Sequence, residues 1–511
     1  MARKATDTPM GTAKKKKTRI KARTKTRTSK ATTTRSEHRA KIRAKTEAKT
    51  GAKTGAKAGA KARSKTGAQP RKTHQDQKAQ KTRKARTAQK VSWPDGAVQL
   101  FVASAPGVEA LLEAELQRLT KFETKAVPGG VELEGDATTL YRIALGSGLG
   151  THLMLRLGTF SARRFEVLVR KTAKLPFRAI LGDDVRFEVT AKCRKSRLHH
   201  TGAVAERVTT AVAEARGYGQ KSGPLVAIQC RIEHDEVTLS LDLTGEPLWK
   251  RGYRSETAKA PLREDLALAL VLSSGWDPTT PLVDPFCGSG TILIEAARHA
   301  LGLLPGSGRS FLFEALPFFD RGRFLAARDS LQAEMGRPDA APLIRGADRN
   351  AGAVEAARNN AKRGQVGHVV TVEEAAISKA MVFDVLKEST ETHGAVVSNP
   401  PHGHRVGDPR TLQRLYQSLG NRIGELPDGC PVALLVRDAR IARSVGVPLE
   451  TRLLTDQGGT KVRILAGVTG ARGGPNAKGA KGAKDARGSK SSKSSKSSKS
   501  PKSSKSTESP S

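Results

Sequence analysis

The chain has 511 residues, with 90 Lys plus Arg against 49 Asp plus Glu and a formal net charge of +41. That length exceeds one ordinary core and predicts two or more domains. Four cysteines without a CxxC pair fit neither a disulfide framework nor a zinc site and agree with a reducing cytoplasm, and neither a membrane span nor a secretory signal is expected, because no long apolar run is present.

The charge sits at the ends. Residues 1–90 carry +27 and residues 471–511 carry +9, which leaves only +5 for the body between them. The N-terminal stretch "KTGAKTGAKAGAKARSKTGA" and the C-terminal "KSSKSSKSSKSPKSSKS" hold too few apolar side chains to offset the entropy of ordering. Residues 1–92 and 471–511 are therefore expected to be disordered, self-repelling basic tails. Their expected partners are polyanions, bound through phosphates without sequence preference. The plainer alternative is a solubilising tail with no fixed partner.

From about residue 97 periodicity appears. "QLFVASAP" reads as a strand, "GVEALLEAELQRL" as a helix, "GGVELEGD" as a strand, "ATTLYRIALGSGL" as a helix and "THLMLRLGTF" as a strand, together a small α+β unit. A second unit follows: strand "DDVRFEVTAKC", helix "RLHHTGAVAERVTTAVAEA", and two strands in "PLVAIQCRIEHDEVTLSLDLTG" joined by a turn at His234 and Asp235. His199 and His200, beside Arg197 at that helix's start, read as RNA-facing or capping groups rather than metal ligands. Then "WKRGYRSETAKAPLREDLALALVLSSGW" is a linker running into a helix.

Residues 281–468 alternate short apolar strands with helices, which predicts an α/β fold with a mostly parallel, doubly wound sheet. "VDPFCGSGT" ends a strand at Asp284 and opens a helix through Gly288 and Gly290, as ligand-approaching loops do. The third glycine of a dinucleotide fingerprint and the lysine of a phosphate loop are both missing. Asp348 in "IRGADRN" ends the next strand, where a carboxylate accepts ribose hydroxyls or caps the following helix. Residues 302–342 read as an insert between the two. In "AVVSNPPHGHRVGD" the apolar strand stops at Asn399, Pro400, Pro401 and His402. The prolines stiffen the loop, so that the Asn oxygen and a carbonyl are held as acceptors for the two hydrogens of an exocyclic amine. The ring at 402 can stack on the base that carries that amine. The alternative for Asn-Pro is a simple turn.

These motifs, "DPFCGSGT", "GADRN" and "SNPPHGHRVG", resemble those of class I S-adenosylmethionine-dependent methyltransferases of the amino-methylating type. With "RGYR", "APLRE", "FLFEALPFFD", "LFVASAPGVEALLEAEL" and "SRLHHTGAVAERV", the chain is similar to THUMP-domain bacterial 23S rRNA guanine-N2 methyltransferases over roughly residues 97–468. The resemblance implies a ferredoxin-like and THUMP RNA-binding domain at 97–250 and a Rossmann-like methyltransferase domain at 251–470. It implies S-adenosylmethionine as cofactor, held by Asp284, Phe286, Gly288 and Gly290, with Asp348 on the ribose and Arg263 and Glu264 closing over it. It makes Asn399, Pro400, Pro401 and His402 the amine site, requires no metal, and gives RNA as partner: rRNA first, tRNA as the alternative. Two departures stand out. His402 replaces the family's usual Tyr, and Ala376 stands where an Asp is usual, with Glu373 or Glu374 as substitutes. A different class of protein, an inactive RNA-binding or ribosome-assembly factor, is the remaining alternative.

Overall fold

The computed structural model describes residues 97–217, 222–255, 262–336, 341–388, 393–402 and 409–470. Both basic tails, part of the "APLRE" segment and the stretch after His402 lie outside the described residues.

The first half builds one sheet. In chain order it contains β1 (Val98–Ala103), α1 (Glu109–Leu119), β2 (Thr124–Val127), β3 (Gly130–Gly135), α2 (Ala137–Gly146), β4 (His152–Ser161), α3 (Phe165–Thr172), α4 (Phe177–Leu181), β5 (Arg186–Arg194), α5 (Thr201–Arg216), β6 (Leu225–Glu233) and β7 (Glu236–Asp242). The strand order is β2-β3-β1-β4-β7-β6-β5. Two α+β units expected from the sequence thus share a single sheet. The long strand β4 makes the join, pairing β1 through His152–Leu155 and β7 through Met154–Ser161. His234 and Asp235 form the expected turn, both with φ in the left-handed region (53° and 65°), as a two-residue hairpin of this hand requires. Strand β2 and the short helices α3 and α4 had no clear periodicity in the sequence.

The second half contains α6 (Glu264–Ser273), β8 (Leu282–Asp284), α7 (Thr291–Ala300), α8 (Arg321–Met335), β9 (Ile344–Asp348), α9 (Ala351–Arg363), β10 (Val370–Glu374), α10 (Asp384–Lys387), β11 (Ala395–Ser398), α11 (Pro409–Ile423), β12 (Pro431–Val436), α12 (Ala439–Ala442), β13 (Glu450–Gln457) and β14 (Thr460–Val468). Its sheet runs β10-β9-β8-β11-β12-β14-β13. The first five strands are parallel, and β14 and β13 are antiparallel to their neighbours. The doubly wound fold expected from the sequence is therefore present. The strand order reverses between β8 and β11, the switch point where such sheets hold ligands at their carboxyl ends.

One apolar core runs through both halves, from Leu100 and Leu140 to Leu293 and Ile344. The insert supplies much of the seam. Phe313 is fully buried; its ring centroid lies 5.1 Å from Phe311 and 5.5 Å from Tyr141, and its amide donates to Leu243 O at 2.9 Å. Phe319 and Phe324 meet Tyr141 edge-on, and Arg142 of α2 pairs with Glu334 of α8. What reads as an insert is the clamp between the C-terminal sheet and the N-terminal sheet.

Candidate functional site

Three parallel strands end side by side, β9 at Asp348, β8 at Asp284 and β11 at Ser398, and the sequence-predicted groups gather there. Gly288 and Gly290 adopt φ of 52° and 84°, which side chains disfavour. A Cβ on Gly288 would stand in open space, so this turn is a cradle. One on Gly290 would press on Ala357 Cβ at 3.0 Å, so α9 packs directly beneath the loop.

Asp348 Oδ2 accepts from the Gly288 amide at 3.1 Å and Oδ1 from the Asn350 amide at 2.9 Å. The helix cap itself is Asn350, whose side chain accepts from Ala353. The cap reading of Asp348 therefore gives way to a carboxylate that ties the glycine loop to the start of α9. Asp284 is almost fully buried. Its Oδ1 accepts from Ser398 Oγ at 2.6 Å and from the Phe286 amide at 3.0 Å. Burial pushes its carboxyl up to about 7, Ser398 and the Phe286 amide oppose that shift, and the neighbouring Asp348 adds to it. A buried acid so poised favours a cation beside it. Phe286 is half-buried and packs against a second apolar cluster that includes Val283, Val396 and Tyr416.

Asn399 is half-buried, Pro400 buried, Pro401 exposed and His402 half-buried. The Asn399 Oδ1 atom is buried yet has no hydrogen-bond partner among the described residues. Such an orphan costs about 1–3 kcal/mol unless a ligand supplies a donor. Pro401 O, by contrast, is approached by the buried Tyr416 hydroxyl at 3.5 Å. An unsatisfied acceptor at the end of a buried strand is more than the turn reading of Asn-Pro explains.

Arg263 and Glu264 stand at the start of α6, and no hydrogen bond joins either to the glycine loop among the described residues. Arg263 pairs with Asp265 and lies 5.3 Å over the Trp249 ring. Glu264 pairs with Arg254 at 2.9 Å, and burial pushes its carboxyl up to about 7 against the pull of that arginine. Glu264 reaches the loop only indirectly, through Arg254, which follows Tyr253 in the chain. Asn360, fully buried, donates to Ser289 O at 3.1 Å and accepts from Arg363, whose Nε donates to Tyr253 O at 2.9 Å. Asn360, Arg363 and Ser398 carry no local signal, because each acts across a large chain separation. At the end of β10, Glu373 is committed to the Val382 amide at 3.0 Å and Ala376 is exposed. Glu374, exposed and in register with Asp348, is the other carboxylate at that strand end.

In the N-terminal sheet, Arg186, Lys192 and Arg194 are exposed along the edge strand β5, followed by Lys195 and Arg197. The exposed His199 and His200 rings lie 4.8 Å apart; His200 occupies the cap position of α5 without a side-chain capping bond, so the capping reading of that pair fails. No group of three or more metal-ligating side chains occurs among the described residues. No helix among them is long and apolar enough to cross a membrane.

Residues 251–444 match an RMKL-like methyltransferase domain and residues 99–149 an RlmL ferredoxin-like domain. The chain is similar to the ribosomal RNA large subunit methyltransferase K/L of Syntrophotalea carbinolica, 30% identical over 73% of this chain. It spans only 53% of that relative, about half its length. Among solved structures it resembles a predicted N6-adenine-specific DNA methylase from Listeria monocytogenes, 30% identical over 72% of this chain and 96% of the other, with a TM-score of 0.64. It also resembles a putative methyltransferase complexed with SAH, 28% identical over 73% of this chain and 98% of the other, with a TM-score of 0.65.

Proposed function

The chain belongs to the RMKL-like methyltransferase family, with that family's ferredoxin-like domain ahead of its methyltransferase domain, and from this premise we propose that it methylates the exocyclic N2 amine of a guanine in 23S rRNA, using S-adenosylmethionine. The observation that carries the reading is the buried, unpartnered Asn399 Oδ1 at the strand end next to Asp284. The residues fit the cofactor: Gly288 offers the cradle, Asp284 a carboxylate for the ammonium of the methionine end, and Asp348 an acceptor for ribose hydroxyls. Glu374 takes the place of the family's acid near the adenine amine, while Phe286 and Gly290 shape the loop and Arg263 and Glu264 close the site from α6. When bound, the cofactor supplies an electrophilic methyl on a sulfonium sulfur.

The protein's part is position. Asn399 Oδ1 and the Pro400 carbonyl each accept one amine hydrogen, which turns the nitrogen lone pair away from the base plane and aims it. Pro401 keeps this corner stiff, and no strong base is needed, because the amine becomes acidic only as the new bond forms. His402 flanks the base over a smaller area than a tyrosine would. The target base leaves its stack to reach the corner. The basic edge of β5 and the His199–His200 pair contact RNA phosphates and bases, and the tails raise the encounter rate.

Labelled-methyl transfer to purified large-subunit rRNA and to tRNA tests the reading. Incorporation into rRNA is expected; incorporation into tRNA alone would move the substrate, and none into either would favour a binding protein. Deleting residues 1–90 is expected to weaken RNA binding most at low salt, as measured by a salt titration of affinity. Unchanged low-salt affinity would remove the tail from RNA capture.

A further inference from the structure

Ser398 is the last residue of β11, fully buried, and one peptide bond ahead of Asn399. Its hydroxyl donates to Asp284 Oδ1 across the switch point at 2.6 Å, and the same oxygen accepts from the Phe286 amide at 3.0 Å. Among the described residues none donates to Oδ2. Two bonds on one oxygen fix the rotation of the carboxylate and reserve the other oxygen. The chain separation of 114 residues means that nothing local requires this contact.

We propose that Ser398 is a positioning residue whose one hydrogen bond sets the cofactor-side carboxylate of Asp284 and locks it to the corner that holds the target amine. The inference rests on the methyl-transfer reading above and deepens it. A small apolar residue would fill the same strand position equally well if packing were the only demand; the hydroxyl is what the arrangement uses. Without that donor the buried carboxylate keeps only the Phe286 amide. Asp348 at the end of β9 is the charged group that acts on it and works against its charge, while the Cys287 thiol in the glycine loop is pushed well up by burial and carries no charge of its own. Loss of the donor therefore favours the neutral acid further. A neutral Asp284 gives the cofactor ammonium no charge partner. Affinity that depends on the charged form is present at high pH and lost as pH falls, and the loss begins at a higher pH in the variant.

The test is calorimetric titration of the full chain and its Ser398→Ala variant with S-adenosylhomocysteine, which carries the same ammonium, at about pH 6 and about pH 7.5, below the range in which that amine loses its proton. The variant is expected to bind roughly tenfold more weakly at the lower pH, with the gap narrowing at the higher one. Equal affinities at both values would overturn the proposal while leaving the methyl-transfer reading intact. A loss of the same size at both values, with a lowered thermal midpoint, would also overturn it, since damaged packing does not titrate. If the wild-type chain binds no S-adenosylhomocysteine, the underlying reading falls and this inference with it.

Discussion

Asn399→Ala is expected to lower methyl transfer by roughly 100- to 1,000-fold while leaving cofactor affinity nearly intact. The side chain follows Ser398, whose hydroxyl bonds Asp284, and its own oxygen has no partner among the described residues. Removing it takes away an acceptor that matters most as the amine pyramidalises, so kcat falls more than binding does. The backbone carbonyl of Pro400 survives the substitution, which is why some turnover remains. Kinetics with saturating RNA, beside a cofactor titration, separates the two effects. If cofactor affinity drops in parallel with turnover, Asn399 supports the pocket rather than the amine.

Phe313→Ala is expected to cost about 3–5 kcal/mol of stability, the range for truncating a buried aromatic. The ring has no solvent exposure and touches Phe311, Tyr141, Phe319 and Phe324. Its backbone amide, bonded to Leu243 O, would stay in place, so the loss is one of packing between the two sheets. Urea unfolding should then show the N-terminal and methyltransferase sheets melting in separate transitions rather than together. A change below about 1 kcal/mol, within the scatter of ordinary surface substitutions, would mean that the clamp is not set by this ring.

Much of the fold was legible because its elements are periodic. The alternation in "EVTLSLD" and the helical spacing in "ATTLYRIALG" each match an element within a few residues. The turn at His234 and Asp235 could be read because two polar residues between alternating strands leave little else. The glycine loop, Asp348 and the Asn-Pro-Pro corner were also legible, as short motifs at strand ends. What escaped was tertiary. "FLFEALPFFD" has no period that announces an aromatic cluster around Tyr141, far earlier in the chain. Ser398 looks like an unremarkable strand end until Asp284 is placed beside it. Asn360 looks like one polar residue among several on a helix, yet it is fully buried and holds the glycine loop through Ser289. Arg263 and Glu264 pair with Asp265 and Arg254, partners that a motif match does not reveal.

The measurement that bears most directly on the central claim is the identity of the methylated nucleoside. Large-subunit rRNA incubated with the chain and S-adenosylmethionine bearing a deuterated methyl, digested to nucleosides and resolved by mass spectrometry, should place the heavy methyl on N2 of guanosine, and the Asn399→Ala chain should leave that product nearly absent. Heavy methyl on a carbon, a ribose oxygen or no nucleoside at all would contradict an amine held at the Asn-Pro-Pro corner.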